Sequence, residues 1–88
     1  MRTFKKLRGV DLPYNKQGEI YFVCQNYRGQ PKKVRDKIDR LCREIGREYA
    51  DALFEMVTTD KGCTAIAMEH YMSEMTLYKL RRRFYERW

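Results

Sequence analysis

The chain has 88 residues, of which 43% are hydrophobic and 35% are charged, and its formal net charge is +7. This length is enough for one domain with one core, and the composition is too apolar for a wholly disordered protein. No stretch approaches the roughly 20 apolar residues of a membrane span, and no apolar signal-peptide core follows the basic start of the chain, so we expect a cytoplasmic protein with no membrane partner.

Residues 1–14 are interpreted as an extended basic leader. The first eight residues carry four basic side chains and no acidic one, and the segment has little helical periodicity. A segment of this kind needs no role in the core, so we predict that a single helical domain spans residues 15–88.

Two helices are predicted in the first half of this domain. Asn15 is a candidate N-cap for a helix that runs to about Arg28. The run of strand formers at residues 20–24 leaves a strand open as the alternative. Pro31 suits the first turn of a second helix. The apolar face of that helix comprises Val34, Ile38, Leu41, Cys42 and Ile45.

Gly46 is predicted to end or sharply bend the second helix, and residues 47–59 are predicted to form a third. The polar residues 58–62 then break the pattern before two further helical segments joined by a short turn. Small or apolar side chains at Ile66 and Ala67 face the core, and Met72 closes the turn. Ser73 is predicted to cap a last helix that begins at Glu74. The inward stripe of this helix comprises Leu77, Leu80, Phe84 and Trp88.

The opposite face of the last helix carries the predicted function. Two helices joined by a three- or four-residue turn are typical of a helix-turn-helix, whose second helix enters the major groove of DNA. Basic side chains there can neutralise phosphates, and the other polar groups can meet base edges. We assign groove or base-edge contacts to Glu74, Met75, Tyr78, Lys79 and Arg82, and phosphate contacts to Ser73, Thr76, Arg81 and Arg83.

The segment from Thr64 to Phe84 resembles the helix-turn-helix of sigma-70 region 4 and of phage-encoded activators of the ArpU and RinA kind. The resemblance depends on Ile66-Ala67, Met72-Ser73 and Thr76-Leu77-Tyr78. It implies promoter binding, contact with RNA polymerase, and an origin in a phage or mobile element. Two positions depart from the pattern: Tyr71 stands where the turn usually has glycine, and His70 where an aliphatic residue is usual.

We therefore expect an all-α bundle of four to five helices that binds duplex DNA as a transcription regulator. One short recognition helix contacts few base pairs, so a homodimer or a second protein should contribute to binding. The acidic residues Glu48, Asp51 and Glu55 share one face and are a candidate contact for polymerase. Two alternatives remain: a DNA-packaging protein like a small terminase subunit, and a protein-interaction inhibitor that does not bind DNA.

We expect neither catalysis nor a cofactor. The chain has one histidine, His70, and lacks a Gly-rich phosphate loop and a nucleophile elbow. Its three cysteines form no C-x-x-C pair, so the spacing argues against a metal site and favours reduced thiols. These residues are Cys24, Cys42 and Cys63.

Overall fold

The computed structural model describes Leu7 and residues 9–88, and this part of the chain is all helical. The Cα radius of gyration is 12.1 Å, close to the roughly 12 Å expected for a compact chain of this length. None of the helices in the described part is long and apolar enough to cross a membrane. The predicted fold class is confirmed. The five α-helices are α1 (Tyr14–Gln25), α2 (Lys32–Gly46), α3 (Ala50–Thr58), α4 (Cys63–Glu69) and α5 (Glu74–Arg87).

Helix α1 settles the alternative between helix and strand at residues 20–24 in favour of helix. It begins earlier than predicted, with Pro13 at the N-cap and Asn15 inside the first turn, so the predicted Asn15 cap is wrong. Ile20 and Cys24 are fully buried, four residues apart on one face. A short 3-10 turn at Tyr27–Gly29 then leads to α2.

Helix α2 packs against both α3 and α5. Its predicted apolar face is confirmed: four of the five residues are buried, and Val34 is partly buried. The bend after α2 lies one residue later than predicted, because Arg47 has the positive φ of 52° whereas Gly46 keeps helical angles. A 3-10 turn at Arg47–Tyr49 precedes α3.

The leader takes part in the core, contrary to the expectation that it needs no core role. Val10 is buried, and Leu7 and Leu12 pack against the core cluster. The fully buried Gln17 of α1 fixes this segment: its Oε1 accepts from the Leu7 amide at 2.8 Å and its Nε2 donates to the Leu12 carbonyl at 2.9 Å. The four basic residues of the leader, all within the first eight positions, lie outside the described residues.

Helices α4 and α5 pack on each other and on α3 around a second, smaller apolar cluster. Ile66, Ala67 and Leu77 are buried there, as predicted. Met72, in the turn, packs against both clusters. The inward stripe of α5 is confirmed, with Leu77, Leu80 and Phe84 buried and Trp88 partly buried.

Candidate nucleic-acid interface

The N-terminus of α5 is fixed by its cap. Ser73 has extended backbone angles, and its Oγ accepts a hydrogen bond from the Thr76 amide at 3.1 Å. The two hydroxyl oxygens, Ser73 Oγ and Thr76 Oγ1, are also 2.8 Å apart. The predicted cap and the predicted start of the helix at Glu74 are therefore confirmed. Since these hydroxyls already serve the helix end, any phosphate contact they make would share atoms with the cap.

The turn before this cap contains the only non-glycine residue besides Arg47 with a positive φ among the described residues. Tyr71 has φ 53° and its side chain is 95% exposed. A left-handed conformation costs a residue with a Cβ roughly 1–2 kcal/mol. The chain thus places a strained, solvent-exposed aromatic residue in the turn between α4 and α5.

Five side chains line an open concavity of about 500 Å³ on the outer face of α5. This face places methionine and tyrosine among charged groups, with Met75 68% and Tyr78 45% exposed. The lining residues are Glu74, Met75, Tyr78, Lys79 and Arg82. They are the five that the sequence assigned to groove contacts, because their spacing puts them opposite the buried stripe of α5.

Glu74 is oriented by the preceding helix. The Thr64 hydroxyl, in the first turn of α4, donates to Glu74 Oε1 at 2.6 Å. This bond leaves the second carboxylate oxygen for an external donor. It also links the N-terminal ends of α4 and α5, so the position of the carboxylate depends on both helices.

Tyr78 and Arg81 lie three residues apart in α5 and contact each other. The nearby Cys63 thiol of α4 raises the pKa of Tyr78. The Arg81 guanidinium lies 5.1 Å from the centre of the Tyr78 ring, within the range of a cation–π contact. Burial lowers the pKa of Arg81. Arg81 is therefore partly buried beside Tyr78 and is less accessible than Lys79, Arg82 and Arg83.

Lys79, Arg82 and Arg83 are exposed. No carboxylate of the described residues lies within ion-pair distance of any of the three. The leader approaches this cluster, because a Cβ at Gly9 would lie 3.1 Å from the Arg82 guanidinium carbon. Gly9 also has φ +74°, so glycine suits both the backbone and the close approach.

The cations of α2 are engaged differently. Lys32 pairs with Asp36 at 2.9 Å, and Arg40 with Glu44 at 3.9 Å. Lys37 lies over the Trp88 ring, 4.0 Å from its centroid. Two of the six cations of α2 are therefore paired with acids of the same helix and a third lies over an aromatic ring. The exposed Lys79, Arg82 and Arg83 of α5 have no acidic partner among the described residues.

The acidic surface suggested for polymerase contact is smaller than predicted. Glu48 and Asp51 are exposed, but Glu55 is half-buried and its Oε1 is 3.0 Å from Lys61 Nζ. Its other oxygen is 3.2 Å from His70 Nε2, and Lys61 also pairs with Glu69. The hydrogen bond from Lys61, followed by that of His70, lowers the pKa of Glu55. These groups join the end of α3 to the end of α4.

Glu55, Glu69 and His70 have ligand atoms within 4.8 Å of one another, a spacing that could hold a metal ion. Lys61 already contacts both carboxylates, and its ammonium supplies the positive charge that a cation would bring. We therefore interpret this group as an ion-pair network that fixes α4. His70 takes part in it through its 3.2 Å contact with Glu55, which gives the polar ring a partner within the fold.

Three contributors to the candidate interface were not identified from the sequence. Thr64, Cys63 and Gly9 lie outside the last helix, and no periodicity marks them. Only Gly9 carried a usable signal, because glycine is the residue that takes a positive φ without strain. The other two require the relative placement of α4 and α5, which a one-dimensional pattern does not contain.

Comparison of the chain with models of protein families, with curated proteins and with solved structures gave no match.

Proposed function

We propose that the protein is a sequence-specific duplex DNA-binding transcription regulator whose α4 and α5 act as a helix-turn-helix. The observation that carries this proposal is the outer face of α5, where the five predicted groove residues line one concavity. The major groove is wide enough for an α-helix, and the N-terminal residues of such a helix meet base edges.

The charge distribution supports the same surface. Lys79, Arg82 and Arg83 are exposed and have no ion-pair partner among the described residues. Phosphate neutralisation by such side chains supplies most of the non-specific affinity for DNA. The basic residues on α2 are a weaker candidate, since two of them, Lys32 and Arg40, are paired with acids of the same helix.

The construction of α5 suits a rigid recognition helix. Its first turn is capped by Ser73 and its inner stripe is buried in both apolar clusters. Thr64 holds Glu74 by a hydrogen bond, and Arg81 lies against the Tyr78 ring. Side chains fixed before binding lose less conformational entropy when the complex forms. The resemblance to sigma-70 region 4 and to ArpU- and RinA-type activators favours promoter DNA as the ligand and RNA polymerase as a further partner.

The test is binding of a fluorescent duplex, measured by anisotropy over a salt series. We expect the logarithm of the association constant to fall linearly with the logarithm of salt concentration, with a slope of about −0.9 per phosphate contacted. Arg82→Ala and Lys79→Ala should weaken binding, with Arg43→Ala and Lys33→Ala on α2 as matched controls. No binding at low salt would favour the protein-interaction alternative.

A further inference from the structure

Two side chains on the outer face of α5, Met75 and Tyr78, carry no charge, so attraction to phosphates does not explain their exposure. Met75 is 68% exposed and belongs to neither apolar cluster of the described residues. Tyr78 exposes 45% of its surface in the same concavity. Two exposed apolar side chains among cations require an apolar feature on the ligand if they are to be buried favourably.

Duplex DNA offers one such feature in the major groove. Each base pair presents hydrogen-bond donors and acceptors there, and the C5-methyl of thymine is the apolar group among them. Met75 is the second residue of α5, in the first turn, where a recognition helix approaches base edges most closely. Its flexible thioether side chain can adapt to a methyl group at that depth.

The neighbouring groups fit an A·T pair. Glu74 has one oxygen held by Thr64, which leaves the other as an acceptor. In the major groove a carboxylate can accept from the amino group of adenine or of cytosine. Adenine lies opposite thymine, so an A·T pair presents an amino group for Glu74 and a methyl group for Met75 in one step.

Tyr78 supplies a fixed second wall. The partly buried Arg81 guanidinium lies 5.1 Å from the centre of the Tyr78 ring, and this contact restrains the ring at the wall of the concavity. We infer that Met75 and Tyr78 form a thymine-methyl contact that gives the protein a preference for A·T base pairs where these two side chains meet the major groove. This inference rests on the proposed function and names the bases that the same surface selects.

The test compares duplexes that differ only in the C5-methyl group. The probes are 24-base-pair alternating duplexes of dA-dT, dA-dU, dG-dC and dG-5-methyl-dC. Because each sequence repeats, the protein meets the same base pairs wherever it binds along the duplex. We expect the dA-dU duplex to bind about three- to fivefold more weakly than dA-dT for each thymine methyl group that the side chains cover. This ratio corresponds to the free energy of burying one methyl group. The dG-5-methyl-dC duplex should bind more tightly than dG-dC by a similar factor.

Substitution assigns the effect to the named side chain. Met75→Ala should reduce the difference between dA-dT and dA-dU and preserve the salt dependence of binding. Met68→Ala is the matched control, since Met68 is 73% exposed at the end of α4 and does not line the concavity. It should leave the difference unchanged.

The failures of the two proposals are distinguishable. If the wild-type protein binds methylated and unmethylated duplexes equally and with steep salt dependence, the methyl contact is overturned and DNA binding stands. An unchanged methyl preference in Met75→Ala would equally overturn the assignment to Met75. If none of the four duplexes binds at low salt, the proposed function falls and the inference falls with it.

Discussion

The hydroxyl of Thr64 donates to Glu74 Oε1 at 2.6 Å, so the first turn of α4 holds the first acidic side chain of α5. We expect Thr64→Val, which keeps the branched shape and removes the donor, to reduce discrimination among DNA sequences by freeing the carboxylate. The loss should be about 1 kcal/mol, the usual contribution of one hydrogen bond.

The measurement for Thr64→Val is the ratio of affinities for a selected duplex and a scrambled one. Thr59→Val is the control, because the Thr59 hydroxyl bonds to the Glu55 carbonyl at the end of α3. An unchanged ratio in Thr64→Val would show that Glu74 needs no support from α4.

Two substitutions at Ser73 separate the effect of the helix cap on stability from the effect of surface charge on DNA binding. Ser73→Ala removes the acceptor for the Thr76 amide and should lower the free energy of unfolding by about 1 kcal/mol. Ser73→Asp restores an acceptor and should recover stability, but its negative charge should weaken DNA binding. Urea unfolding and DNA titration of the two variants test this; equal DNA affinity after correction for stability would place Ser73 away from the phosphates.

The strained turn predicts a gain in stability. Tyr71 has φ 53° and is 95% exposed, so its side chain contributes little packing. Tyr71→Gly relieves the left-handed strain but adds freedom to the unfolded chain, and we expect a net stabilisation of about 0.5–1 kcal/mol. Tyr71→Ala keeps a Cβ and should give no such gain in chemical denaturation. Equal stability of the two variants would contradict the strain.

The Glu55 network predicts a loss of stability in acid. The folded protein lowers the pKa of Glu55 through Lys61 and then His70. The resulting stabilisation is fully present above the pKa of the unfolded state and is lost as pH falls through the lowered pKa of the folded state. Glu55→Gln should therefore flatten the acid limb of stability against pH, measured by urea unfolding at each pH. If the free energy of unfolding of Glu55→Gln fell with decreasing pH as steeply as that of the wild type, other carboxylates would account for the loss of stability in acid.

The three thiols should react in a fixed order. Burial raises the pKa of Cys24 and of Cys42 to about 12, and both side chains lie in the core. Cys63 is only partly buried, although burial raises its pKa as well. Since the thiolate is the nucleophile, iodoacetamide at neutral pH should label Cys63 first and the other two only on unfolding. Mass spectrometry of the partly labelled native protein gives the order, and early labelling of Cys24 would contradict the packing around α1.

The sequence predicted the fold class and the face of α5 well, because both depend on short-range periodicity. The stripe from Leu77 to Phe84 buries one side of the helix and leaves the other exposed. The sequence predicted the leader poorly. Val10 lies between Leu7 and Leu12, and both of these are hydrogen-bonded to Gln17, which is ten and five positions away. A fully buried glutamine has no signature in a hydrophobic pattern.

The burial and pairing of the charged residues could be predicted only in part. The i,i+3 spacing of Tyr78 and Arg81 in α5 permits their contact, but the run of three arginines does not show that Arg81 alone is partly buried. Likewise Glu55 has the pattern of an exposed acid, although Lys61 and His70 arrive from later in the chain to pair with it. Pairings across helices decide which charges stay available, and they follow from tertiary packing.

If α5 is the surface that meets duplex DNA, its outer face should respond when a duplex is added. The most direct measurement is a ¹H–¹⁵N correlation spectrum of the labelled protein during titration with a duplex at low salt. We predict shifts concentrated at residues 73–83 and near Gly9, with small changes along the exposed side of α2. Shifts centred on α2, or a spectrum unchanged by excess duplex, would contradict the account.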